Sequence, residues 1–186
     1  MAFLPSLLIE HYRSPAHMGL LEGAACAVLE GRKEDAELRF YLREEPDGTL
    51  RSGYELIGDR SPVAALSLLS TWLEGRTRAE AAALTLEALA AHYGLPRDLL
   101  PNLLTAIEAL SAGLAALEGR PPPFADDGEV VCHCLHVREG RIRRLVRQRA
   151  LRTVKDVRFW TRACSGCRSC REDVEDLLRE EVAGSP

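Results

Sequence analysis

The chain has 186 residues, 46% of them hydrophobic and 28% charged, so it is long enough for one large or two small cores. Its net charge of -4 hides an asymmetry: 12 of the 24 Lys and Arg residues lie between Arg138 and Arg171, and the rest of the chain is acidic. No uninterrupted apolar run approaches the roughly 20 residues of a membrane span, and the opening stretch has no basic leader of the signal-peptide kind, so a soluble, cytoplasmic protein is expected.

Residues Ala36 to Leu42 and Leu50 to Gly58 alternate polar and apolar side chains around a Pro46-Asp47-Gly48 turn, which predicts a β-hairpin. Two helices are expected next. Ser61 would cap the first, with Pro62 at its first position, and Thr77 with Glu80 forms a capping-box signature for the second. A third, from about Pro96 to Leu117, carries Leu103, Ile107, Leu110, Leu114 and Leu117 at helical spacing, the expected core stripe. Gly119-Arg120-Pro121-Pro122-Pro123 cannot continue that helix and favours an extended connector.

Beyond the connector, three short helices are expected, carrying Ile142, Leu145 and Val146, then Val154 and Val157 entered through Thr153, then Val174, Leu177 and Leu178. The chain therefore reads as α+β. Residues 1–118 form a small antiparallel sheet with helices, 119–129 a linker, and 130–186 a small all-α domain. Such a short unit is marginal on burial alone, and a bound metal centre would add stability.

Five of the six cysteines lie in the last third, and in a reducing compartment clustered cysteines favour metal over disulfide. Cys132 and Cys134 are one residue apart, and Cys167 and Cys170 two apart, just before a helix opened by Arg171-Glu172-Asp173. On an extended segment the first pair would point to one side, while the second would meet helix N-terminal amides that stabilise anionic sulfur. Four thiolates suit zinc or a 2Fe-2S cluster, and the one-residue spacing is unusual for zinc. Arg141, Arg143, Arg144, Arg147, Arg162, Arg168 and Arg171 are candidates to offset the site's negative charge, although a solvated helix face is the ordinary role of any one of them. His133 and His136 flank the first pair, and Cys26, alone in an Ala-rich stretch, reads as a buried small residue.

The run from Val131 to Leu178, with Cys132-His133-Cys134 and Cys164-Ser165-Gly166-Cys167-Arg168-Ser169-Cys170, resembles the central ferredoxin-like domain of the NifU iron-sulfur assembly proteins, related to bacterioferritin-associated ferredoxin. The resemblance implies a helix-turn-helix unit with one 2Fe-2S cluster on Cys132, Cys134, Cys167 and Cys170. It also sets Cys164 at a position that looks like glycine in the family, so Cys164 is the spare thiol.

Residues 1–118 resemble, more faintly, the IscU-type scaffold that precedes this domain, through His11-Tyr12-Arg13-Ser14-Pro15 and Ile57-Gly58-Asp59-Arg60-Ser61. Where the family has three cysteines, this chain has Arg32 or Lys33, Asp59 and Asn102, with Pro101 where a histidine is usual. Scaffold assembly there is unsupported, which leaves docking as the expected role.

The resemblance implies a non-enzymatic iron-sulfur assembly protein working with a cysteine desulfurase, a cluster acceptor or a redox partner. A ferredoxin-like electron carrier is the first alternative. A zinc-bound nucleic-acid regulator, drawing on the arginine-rich stretch from Arg138 to Arg152, is the second, though sparse aromatic residues and acidic flanks weaken it.

Overall fold

A computed structural model describes residues 5–124 and 127–183. The chain separates into two compact units: residues up to Gly31 with Asp35–Pro123, and Arg32–Glu34 with the chain from Phe124 onward. The connector expected over 119–129 falls partly on residues 125–126, outside the described residues.

In the first unit, helix α1 (Ser6–Arg13) precedes strands β1 (Ala25–Glu30), β2 (Glu37–Glu44) and β3 (Leu50–Ile57), which pair antiparallel in the order β1-β2-β3. The predicted hairpin is β2 and β3. Its turn is closed by the Gly48 amide donating to the Glu45 carbonyl at 2.9 Å, with Gly48 at φ 81°, and Asp47 accepts from the Thr49 amide at 3.0 Å. Strand β1 has no counterpart in the sequence reading, because alanine carries little strand signal; pairing with β2, Ala27 opposite Phe40 and Leu29 opposite Leu38, makes it a strand. That register turns Cys26 outward, so Cys26 is exposed rather than buried.

One sheet face, with Leu38, Phe40, Leu42 and Tyr54 buried, packs under helices α2 (Val63–Leu73) and α5 (Leu100–Leu117). Ser61 does not cap α2. Its hydroxyl donates to the Asp59 carboxylate at 2.8 Å, and Pro62 occupies the N-cap. Thr77 and Glu80 form the expected capping box on α3 (Arg78–Ala82), but a separate α4 (Leu86–His92), capped by Thr85, follows it, so three α-helices rather than two lie between the hairpin and α5.

The buried face of α5 also departs from the leucine stripe. Leu103 and Leu110 are buried, whereas Ile107, Leu114 and Leu117 are half-buried. Ala106, Ala109, Ala112 and Gly113 are buried instead, and a Cβ on Gly113 would lie 2.8 Å from Phe40 Cδ1 of the sheet. Small residues let the helix approach closely, and periodicity in bulky residues does not register them. By length and composition the helical stretch Arg97–Leu117 would suffice for a membrane span, with a mean hydropathy of 1.4, but Asp98, Asn102 and Glu108 interrupt its apolar run and 61% of the window is buried. At its end, Gly119 takes φ 65° and the Arg120 amide donates to the Ala115 carbonyl, a left-handed helix stop.

The second unit holds strands β4 (Val130–Cys132) and β5 (Val137–Arg138) and helices α6 (Glu139–Arg149), α7 (Val154–Thr161) and α8 (Arg171–Ala183). The two short strands were not expected in an all-α domain. Ile142, Leu145, Val146, Val157, Val174, Leu177 and Leu178 form its core, while Val154 is half-buried. Thr153 and Asp156 cap α7 with a full capping box.

Candidate metal centre

Five thiols meet at one end of the second unit. Cys132 closes β4, and Cys134 lies in a 3-10 turn, His133–Leu135, which ends at His136 with a left-handed φ of 46°. The first pair is therefore not on an extended segment; the turn brings the Cys132 and Cys134 sulfurs to 3.7 Å. Cys167 and Cys170 lie in the turn into α8, where the Arg171 amide donates to the Arg168 carbonyl and the Val174 amide to the Cys170 carbonyl. Cys167 Sγ stands 3.7 Å from Cys134 Sγ. Cys164, delivered by the turn that ends α7, stands 3.5 Å from Cys170.

The four sulfurs expected as ligands are thus gathered in one place, and the spare one is beside them. Cys132, Cys164 and Cys170 are buried, whereas Cys134 and Cys167 are exposed. Burial pushes the Cys164 and Cys170 thiols up, and the Ser169 hydroxyl lowers Cys167 to about 7. Gly166 lets the two turns close on each other, since a Cβ there would lie 2.9 Å from Cys134 Sγ. Cys164 adopts φ 61°, a conformation suited to the glycine that the family resemblance implies.

The arginines divide. Arg143 bonds to Glu139 at 2.6 Å and to Glu180 and Glu181 on α8 at 2.6 and 3.0 Å; Arg144 bonds to Asp127 at 2.5 Å, and Arg147 to Glu181 at 2.9 Å. These three hold α6 to its neighbours rather than facing the sulfurs, because carboxylates on α8 and the preceding loop lie within reach. Arg168 and Arg171 do lie at the site. With Val154, Lys155, Arg158 and Cys164 they line a cavity of about 200 Å³. His133 is exposed and His136 half-buried.

In the first unit, Asp59 is occupied with the Ser61 amide and hydroxyl, at 2.9 and 2.8 Å. Among the described residues no three His, Cys, Asp or Glu side chains form a ready group for a single metal ion. The C-terminal thiols form a row of neighbouring pairs instead.

Gathered thiols of this kind suit a thiolate-bound metal centre. Residues 130–180 match the BFD-like 2Fe-2S binding domain. Over most of its length the chain is NifU-like: it is 28% identical over 179 residues to the nitrogen fixation protein NifU of Azotobacter chroococcum mcd 1 and 29% identical over 183 residues to that of Azospirillum brasilense. Each match covers 94% of this chain and 58% of the relative, so the chain spans little more than half the length of these relatives. A 51-residue stretch is 41% identical to the assimilatory nitrate reductase electron transfer subunit of Bacillus subtilis strain 168, covering 27% of this chain and 7% of that protein.

Proposed function

We propose that Cys132, Cys134, Cys167 and Cys170 hold a 2Fe-2S cluster, and that the chain is a non-enzymatic partner in iron-sulfur cluster assembly or transfer. The observation that carries this reading is the sulfur spacing. Two thiolates bound about 2.3 Å from one tetrahedral metal stand about 3.8 Å apart, and the Cys134–Cys167 and Cys132–Cys134 separations are both 3.7 Å. Cys134 thus stands at a one-metal distance from both Cys132 and Cys167. That spacing suits a thiolate-bound metal centre, and the two-iron identity is supported by the match of residues 130–180 to the BFD-like 2Fe-2S binding domain.

The bound cluster would supply one-electron chemistry at a site of net negative charge. The chain's residues set the surroundings of that charge. Cys132 and Cys170 anchor it in the interior, while Cys134 and Cys167 bring its other side to the surface, where a partner can reach it. Arg168 and Arg171 add positive charge beside Cys164.

We assign residues 1–118 to docking, since three cysteine positions of the scaffold resemblance hold other residues and Asp59 is occupied with Ser61. A cysteine desulfurase, a cluster acceptor or a redox partner is the fitting class of occupant. Electron carriage for an oxidoreductase is the second reading, favoured by the similarity of one segment to an electron transfer subunit.

Anaerobic purification or reconstitution tests the assignment through iron, acid-labile sulfide and zinc per chain and the visible spectrum, with Cys134→Ala in parallel. Equal iron and sulfide with charge-transfer bands, lost in the variant, is the expected result. Zinc without sulfide after reconstitution would refute it.

A further inference from the structure

We propose that Cys164 is a reserve ligand, able to hold the buried iron of this cluster when Cys170 or Cys132 is released. The inference rests on the cluster reading above and concerns the fifth thiol, which that reading leaves without a role. At the interior end of the row, three thiols stand where one iron needs two. Cys170 stands 3.5 Å from Cys164. All three are buried, with Cys164 only 4% exposed.

The backbone keeps Cys164 there. Arg162 ends α7 in a left-handed conformation, the Thr161 hydroxyl accepts from the Ala163 amide at 3.0 Å, and the Ser165 amide donates to the Arg162 carbonyl at 3.1 Å. Cys164 itself occupies φ 61°, where a side chain is disfavoured, and its sulfur nonetheless lies within a metal-pair distance of Cys170. The cavity beside it is lined by Lys155, Arg158, Arg168 and Arg171.

The exchange is redox-neutral. Cys164 gives up its thiol proton as its sulfur bonds to iron, the Fe–S bond to Cys170 or Cys132 breaks, and the departing thiolate takes up a proton, leaving the charge of the centre unchanged. The surface end has no fifth thiol among the described residues: Cys134 has Cys132, already a ligand, at 3.7 Å, and Cys167 has the Ser169 hydroxyl at 3.2 Å. A handover would therefore loosen the buried iron one ligand at a time without exposing it bare.

The test uses alanine, which cannot bind iron, in the full chain, with iron, sulfide and the visible spectrum read after anaerobic reconstitution. Cys170→Ala and Cys132→Ala are expected to retain most of the wild type's iron and sulfide with shifted bands. Each is expected to lose them when combined with Cys164→Ala. Cys134→Ala should lose them alone. If neither single variant retains more cluster than its own double, whether through unfolding or through loss of binding, the reserve role is refuted. A wild type that binds no cluster would refute the underlying reading instead.

Discussion

Gly166→Ala would drive a methyl group into the Cys134 sulfur. The added Cβ would stand 2.9 Å from Cys134 Sγ, against about 3.5–4.0 Å for an ordinary non-bonded contact. One of the two must therefore give way by about 0.6–1.1 Å, while metal–sulfur distances in a working site hold to within about 0.2 Å. Gly166 is exposed and outside the left-handed region, so alanine costs its backbone little and the core is untouched. Overpacking of this degree costs about 1–3 kcal/mol, which corresponds to about 5- to 150-fold weaker cluster retention. The assay is competition with an iron chelator, followed by loss of the visible bands, with thermal unfolding of the cluster-free protein as control. Wild-type retention would refute the argument that the two turns close to this distance, as would a loss matched by equal destabilisation of the cluster-free protein.

Thr153→Ala removes the capping box of α7 and should lower the stability of the C-terminal unit by about 1 kcal/mol, measured by urea unfolding. The Thr153 hydroxyl holds the Asp156 carboxyl below the ordinary carboxylate range, so that contribution is present above the unfolded pKa of about 3.9 and is lost as pH falls through the lower folded value. The difference between wild type and variant should accordingly shrink below about pH 4; a difference independent of pH would contradict it. Gly113→Ala should destabilise the N-terminal unit, although alanine is the better helix former, because its methyl meets the buried Phe40 ring; a rise in unfolding temperature would show that the ring can move aside. Arg143→Met should weaken the α6–α8 contact by leaving Glu139, Glu180 and Glu181 without a shared cation, and the loss should diminish in high salt.

Local chemistry was legible wherever a few adjacent residues decide the outcome. The Pro46-Asp47-Gly48 turn, the Thr77/Glu80 cap, the helix entry at Thr153 and the stop at Gly119 each depend on neighbours in the chain. Ile142, Val157 and Val174 could be assigned to a core because each recurs on one helix face. The cysteine spacing likewise singled out four thiols before any geometry was known.

Tertiary packing decided the rest. Strand β1 exists through its pairing with β2, and the same pairing exposes Cys26. The alanine and glycine face of α5 is a core face only because Phe40 lies opposite it. Arginines read as neighbours of the sulfurs turn to Glu180, Glu181 and Asp127, since α8 and the loop before α6 bring carboxylates within hydrogen-bond distance. Spacing along the chain named the thiols and the family resemblance made Cys164 the spare, but only the fold could put Cys164 3.5 Å from Cys170, because that distance is set by where the end of α7 meets the start of α8.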